Sequence, residues 1–192
     1  ATANIKPTAI SQIMHGTTVA TNAILQGNGA KIGLVTTQGY RQMLQIGRSF
    51  VPGILAGWII WNMPDPLAPL ELTVEAKERV GARGEVVESL DEPSIKESLN
   101  YLAKKRIEAL TVSLINAYAN GAHEQRIREI ANEVMPDVPV SISSEILPEM
   151  QEYERTLTTV ANSYVAPIVS TYLANMQTQI DTRGIDAKLH IL

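Results

Sequence analysis

The spacing of apolar positions changes several times along the chain, and each change marks an element. Ile10 to Met14 is a short strand-like run, and residues 18–26 carry a helix-like pattern that ends before Gly27-Asn28-Gly29. An Asn-Gly pair is a strong turn signal. Residues 31–36 read as a second strand and 40–46 as a short helix. A strand, a helix and a strand this close predict a parallel pair joined by a helical crossover. Residues 47–71 lose any period and carry Pro52, Pro64, Pro66 and Pro69, so they read as mostly irregular. Alternation returns in 72–80, and with the turn at 81–84 and the run 85–88 it predicts a β-hairpin.

Asp91 followed by Pro93 is a helix start. Ile95, Leu99 and Leu102 mark the apolar face of a helix over 92–105, followed by a strand at 107–114. A second helix at 123–135 would bury Ile127, Ile130, Ala131 and Val134, with a strand at 138–143 beyond Pro136. Helical spacing then runs from 149 to 180 through Met150, Tyr153, Leu157, Val160, Tyr164, Ile168 and Tyr172. Pro167 falls inside it, which predicts a kink or break near 163–166. Gly184 precedes a last strand-like run, 187–192. The fold class is α/β: a βα-alternating sheet with helices and one hairpin.

The 192 residues are 45% hydrophobic and 19% charged, enough for a buried core. A net charge of −4 argues against a nucleic-acid surface. No apolar run reaches the length of a membrane span. Zero cysteines exclude disulfide and thiolate chemistry and fit a cytoplasmic protein. His15, His123 and His190 lie far apart, with no metal-ligand spacing. The chain starts at Ala1 and stops within a strand-like run, so it is expected to be a piece of a longer subunit.

Four places could carry chemistry, one of them Ser144, Glu145, Glu149, Glu152, Glu154 and Arg155 at a strand end and helix start, where solvated acidic residues favoured by the helix dipole are the alternative. His15, Gly16, Thr17, Thr18 and Asn22 form a strand-to-helix turn, either an anion or substrate loop or a helix cap with a structural histidine. Thr36, Thr37 and Gly39 end a strand, where α/β sheets bind ligands and where helix capping is the alternative. Arg48 follows Gly47 and is either an anion clamp or the partner of a carboxylate.

His15-Gly-Thr-Thr-Val-Ala-Thr-Asn-Ala-Ile-Leu25 resembles the N-terminal region of the hydantoinase A / 5-oxoprolinase family, which includes subunits of ATP-dependent ketone carboxylases such as acetophenone carboxylase. The resemblance continues through residues 32–40, Ile46-Gly47-Arg48, Pro64-Asp65-Pro66-Leu67, Glu78-Arg79-Val80, Gly84-Glu85-Val86, 143–149 and Glu152-Tyr153-Glu154-Arg155-Thr156. It implies part of an actin / sugar-kinase / Hsp70-like ATPase fold. Residues 1–148 would be the N-terminal α/β region, and 149–192 a long helix leading into the ATPase core. It implies an ATP- and Mg²⁺-using enzyme that phosphorylates a carbonyl oxygen, for ketone carboxylation with bicarbonate or for cyclic-amide hydrolysis. A hydantoinase B-like second subunit or domain would be its partner.

The resemblance adds Glu154 and Arg155 to His15 and Arg48 as catalytic candidates. It makes Gly16, Thr17, Thr18, Asn22, Thr36, Thr37 and Gly39 candidates for nucleotide or substrate binding. Where hydantoinase-like sequences carry a basic, polar stretch after the arginine, this chain has Ser49-Phe50-Val51-Pro52 and then Trp58 and Trp61. Phe50, Trp58 and Trp61 are therefore candidates for a substrate pocket or a subunit interface, with a loop pinned to the core by apolar anchors as the alternative for the tryptophans, and they favour an apolar ketone. The family's Asp-x-Gly-Gly-Thr phosphate hairpin does not occur here, nor does a P-loop, a GxSxG elbow or an HExxH helix. The isolated chain is expected to be inactive. The rival reading is a non-catalytic scaffold within such a complex.

Overall fold

A computed structural model describes residues 7–48 and 64–191. The chain makes two compact units. One is Ala30–Tyr164, and the other combines the described parts of Ala1–Gly29 and Val165–Leu192.

The larger unit is built on a parallel sheet of β2 (Ile32–Thr37), β3 (Thr73–Ala76), β6 (Ala109–Ser113) and β7 (Val140–Ile142), in the order β3-β2-β6-β7. β2 and β6 lie in the middle, and every residue of both is buried. Helices α3 (Glu92–Lys104) and α4 (Ala122–Val134) cover one face. Asp91 caps α3 by accepting from Ser94 N at 3.1 Å, and Pro93 in the first turn suits a position with no N–H to satisfy. Ile95, Leu99 and Leu102 recur on one stripe of α3 and are fully buried, each worth about 1.5–3 kcal/mol of transfer free energy. They share one core with Val35, Leu110, Val112, Ile127, Ile130 and Ile142.

The opposite face is different. The parallel register puts Thr36 beside Ser113, and Leu34, Thr111 and Ser141 in one row. Beyond the short helix α5 (Ser143–Ile146), the first half of α6 (Glu152–Thr182) lies against these hydroxyls. Thr111 Oγ1 donates to Ser163 Oγ at 2.7 Å, Ser113 and Thr156 share a hydroxyl contact at 2.7 Å, and Asn162 Nδ2 donates to Ser141 Oγ at 3.1 Å. Arg155, Thr156, Thr159 and Ser163 are buried, whereas Leu157 and Met150 are exposed.

The smaller unit pairs β1 (Gln12–His15) in parallel with β8 (Lys188–Ile191), His15 opposite Ile191. It also holds α1 (Val19–Gln26), ended by Gly27 in the left-handed region at φ +68°, and the second half of α6.

Several expectations are corrected. β1 does not pair with β2 across α1; its partner is β8, and β2 lies between β3 and β6. The run 72–80 is not one hairpin arm. Its first part, β3, joins β2 in parallel, and only β4 (Arg79–Val80) pairs antiparallel with β5 (Val86–Glu88). The strand breaks at Lys77 and Glu78, and the Glu78 side chain is buried there. α6 does not break at Pro167. Proline forgoes one backbone bond, a small part of a ladder of 31 residues. The two compact units divide within α6, between Tyr164 and Val165.

Candidate functional site

Three parallel strands, β2, β3 and β6, end on the same edge of the larger sheet. Ligands of open α/β sheets bind outside such carboxyl ends. A cleft of about 790 Å³ opens there. Its walls come from the segment after β2 (Gly39 to Met43, with Ile46 and Gly47 of short helix α2, Met43–Ile46, and its cap), from Glu75 and Arg79, from Ile115 and Asn116, and from Glu152 and Tyr153.

Charged side chains fix the edge beneath the cleft. Leu114 follows β6. Its N–H donates to Glu124 Oε1 at 2.8 Å, and its carbonyl accepts from Arg155 Nη2 at 2.7 Å. Arg155 also donates to the Glu149 carbonyl at 2.6 Å and faces the Tyr118 ring at 5.6 Å. Burial pulls the Arg155 guanidinium below its ordinary value and pushes the Glu124 carboxyl above its own, the latter opposed by hydrogen bonds from Ser143, Leu114 and Ser144.

A second buried chain runs through Thr37. Its Oγ1 donates to Glu78 Oε1 at 2.5 Å and accepts from Ile115 N at 3.0 Å, while His123 Nδ1 lies 2.8 Å from Glu78 Oε2. Asn116 adopts φ +59°, a conformation that Asn tolerates, and donates to the Val80 carbonyl at 2.9 Å. Gly39 has φ +92°, and its N–H donates to Glu75 Oε1 at 2.8 Å.

The residues singled out from the sequence fall in two groups. His15, Gly16, Thr17, Thr18 and Asn22 belong to the smaller unit. There His15 Nε2 lies 2.6 Å from the Tyr172 hydroxyl, Thr17 Oγ1 accepts from Val19 N at 3.2 Å, and Asn22 Nδ2 donates to Thr18 Oγ1 at 3.3 Å. Thr36, Thr37, Gly39, Arg48, Glu154 and Arg155 belong to the larger unit. Both threonines are buried, and the Thr36 hydroxyl has no partner among the described residues. Arg48 is ion-paired with Glu154. Only Gly39 of this group lines the cleft. Phe50, Trp58 and Trp61 lie outside the described residues.

Sequence reasoning did not select Tyr40, Arg41, Glu75, Arg79, Asn116 or the Glu78–His123 pair. Tyr40, Glu78 and Arg79 do sit in blocks that carry the family resemblance. Among the described residues, no three His, Cys, Asp or Glu side chains converge as a metal site.

The class of protein follows from matches to known sequences and folds. The model of the hydantoinase/oxoprolinase N-terminal region matches residues 1–135, and the chain belongs to that family. The acetophenone carboxylase gamma subunit of Aromatoleum aromaticum is 35% identical over 173 residues, covering 81% of this chain and 23% of that subunit. The crystal structure of the ATP-dependent caprolactamase of Pseudomonas jessenii superposes with a TM-score of 0.81 at 29% identity, over 94% of this chain and 26% of that one. The nucleotide-free acetone carboxylase superposes at 0.83 with 24% identity, over 94% and 27%. The fold is thus part of an actin-like ATPase fold. The chain spans about a quarter of the length of these relatives. No helix among the described residues is long and apolar enough to cross a membrane.

Proposed function

We propose that this chain is part of a cytoplasmic, ATP-dependent enzyme subunit that activates a carbonyl compound by phosphorylating its oxygen. The observation that carries the reading is a cleft at the carboxyl ends of three parallel strands in a chain of this family. Two relatives bear on the substrate by name, an acetophenone carboxylase and an ATP-dependent caprolactamase. Acetophenone is a ketone and caprolactam a cyclic amide, so a carbonyl is the shared reacting group. Phosphorylation would trap a ketone as its enol or make an amide carbon open to water. Developing negative charge needs fixed donors. Mg²⁺ would be held with ATP by the complete enzyme, and a hydantoinase B-like subunit would complete the reaction.

Within that reading, the turn from His15 to Asn22 and the Thr36–Gly39 segment are the family's nucleotide or substrate contacts. Arg48, Glu154 and Arg155 act by holding the start of α6, and Phe50, Trp58 and Trp61 provide an apolar wall or subunit contact. The experiment is ADP release by the full-length subunit with its partner, given acetophenone plus bicarbonate, caprolactam or 5-oxoproline. Stimulation by one carbonyl class is expected. Equal ATP turnover with and without every carbonyl compound would refute the reading.

A further inference from the structure

The cleft carries two arginines, Arg41 and Arg79, and neither is in an ion pair among the described residues. Elsewhere in the same unit Arg48, Arg126 and Arg128 face carboxylates, whereas Arg83 and Arg106, outside the cleft, have no ion pair among the described residues. The chain has 20 acidic residues against 16 basic ones, so partners are not scarce. Glu75 and Glu152 line the same cleft, yet Glu75 accepts from Gly39 N at 2.8 Å and Glu152 lies 4.0 Å from Arg155.

Both guanidiniums are held by neutral groups. Arg41 Nη2 donates to the Leu70 carbonyl at 2.9 Å. Arg79 lies over the Tyr40 ring at 5.4 Å, with Nη2 3.4 Å from its hydroxyl. An arginine has five N–H donors in a planar fork that matches an oxyanion. Each of these uses one on a protein oxygen, so most of both forks stay available. Around them the cleft offers apolar surface from Met43, Ile46, Ile115 and the ring of Tyr153.

We propose that this cleft binds an organic carboxylate, its CO₂⁻ group on Arg41 and Arg79 and its hydrocarbon body on Met43, Ile46 and Ile115. A free inorganic anion would leave the apolar wall unused. The assignment of that acid as the enzyme's product rests on the carbonyl-activating reading. A ketone and bicarbonate condense to a β-keto carboxylate with loss of water. A cyclic amide takes up water and opens to an amino carboxylate. Either reaction creates a new carboxylate.

The test is calorimetric titration of the full-length protein with benzoate, hexanoate and inorganic phosphate. Benzoate or hexanoate should bind more tightly than phosphate. Arg41→Gln and Arg79→Gln should each weaken that binding about tenfold or more, the loss of one charge-assisted contact, while Arg79→Lys keeps part of it. Arg83→Gln, outside the cleft, should leave it unchanged. A measurement without variants guards against misfolding: benzoate should slow phenylglyoxal modification of Arg41 and Arg79 in the native protein, but not that of Arg83. Tighter binding of phosphate, lost in the same variants, would make this a phosphate site and overturn the proposal. No carboxylate binding, or binding indifferent to both arginines and to their modification, would overturn it too. Carboxylate binding without carbonyl-stimulated ATP turnover would refute only the product assignment and the functional reading beneath it.

Discussion

Arg155 and Glu124 grip one hydroxyl from opposite sides. Ser143 Oγ donates to Glu124 Oε1 at 2.7 Å and accepts from Arg155 Nε at 3.1 Å. All three side chains are fully buried. The relay joins α4 to the start of α6, and through Leu114 it sets where Ile115 and Asn116 leave the sheet.

Breaking this relay should be costly, because it strands a buried charge. Arg155→Met is expected to destabilise the protein by about 3–5 kcal/mol, read as a lower midpoint in urea. A loss under 1 kcal/mol would mean that the guanidinium is not needed to offset Glu124.

Hydroxyl pairs beneath α6 should behave differently. Thr111→Val or Ser163→Ala alone leaves a buried hydroxyl without its partner, at about 1–3 kcal/mol. The double variant should cost less than the sum of the two. A double-mutant cycle with strict additivity would show that the 2.7 Å contact carries no coupling.

The pair of Glu92 and Arg126 ties α3 to α4 through two contacts at 2.8 Å. The hydrogen bond from Arg126 holds the Glu92 carboxyl below its usual value. A depressed carboxylate adds stability above the unfolded-state value, near pH 4.3, and loses it as pH falls through the folded-state value. Glu92→Gln should therefore lower the thermal midpoint at pH 7 and lower it by less at pH 3. The same deficit at both pH values would contradict the assignment.

Gly84 has φ +84°, and a Cβ there would come 3.0 Å from the Ala119 carbonyl oxygen. Its own carbonyl accepts from Asn120 at 2.8 Å. Gly84→Ala should cost roughly 1–3 kcal/mol of backbone strain, measured by chemical denaturation. A neutral result would show that the turn can relax away from Ala119.

Local pattern made α3 and α4 legible, because each buries one apolar stripe at helical spacing. β1 was assigned the wrong neighbour because strand pairing is non-local: β8 is more than 170 residues away. Val160 and Tyr164 are buried as their spacing predicts, but the rest of the buried face of α6 was misread for a chemical reason. Met150 and Leu157 fit the apolar period but stay exposed, while Arg155, Thr156, Thr159 and Ser163 turn inward to sheet hydroxyls. The cleft was missed because Glu75 and Arg79 sit in a run that alternates like a hairpin arm. Where that run leaves one sheet for another depends on Glu78, whose partners Thr37 and His123 lie 41 and 45 residues away.

An oily seat lets a helix creep by small rotations, since dispersion contacts change gradually. The seat of α6 on the sheet has no such play. Thr111–Ser163 and Ser113–Thr156 are directional bonds set along one side of a single rod. Any slide of that rod must break both together, and neither re-forms until another hydroxyl comes into place. The sheet thus works as a detent for α6, which stays put or moves by a whole step.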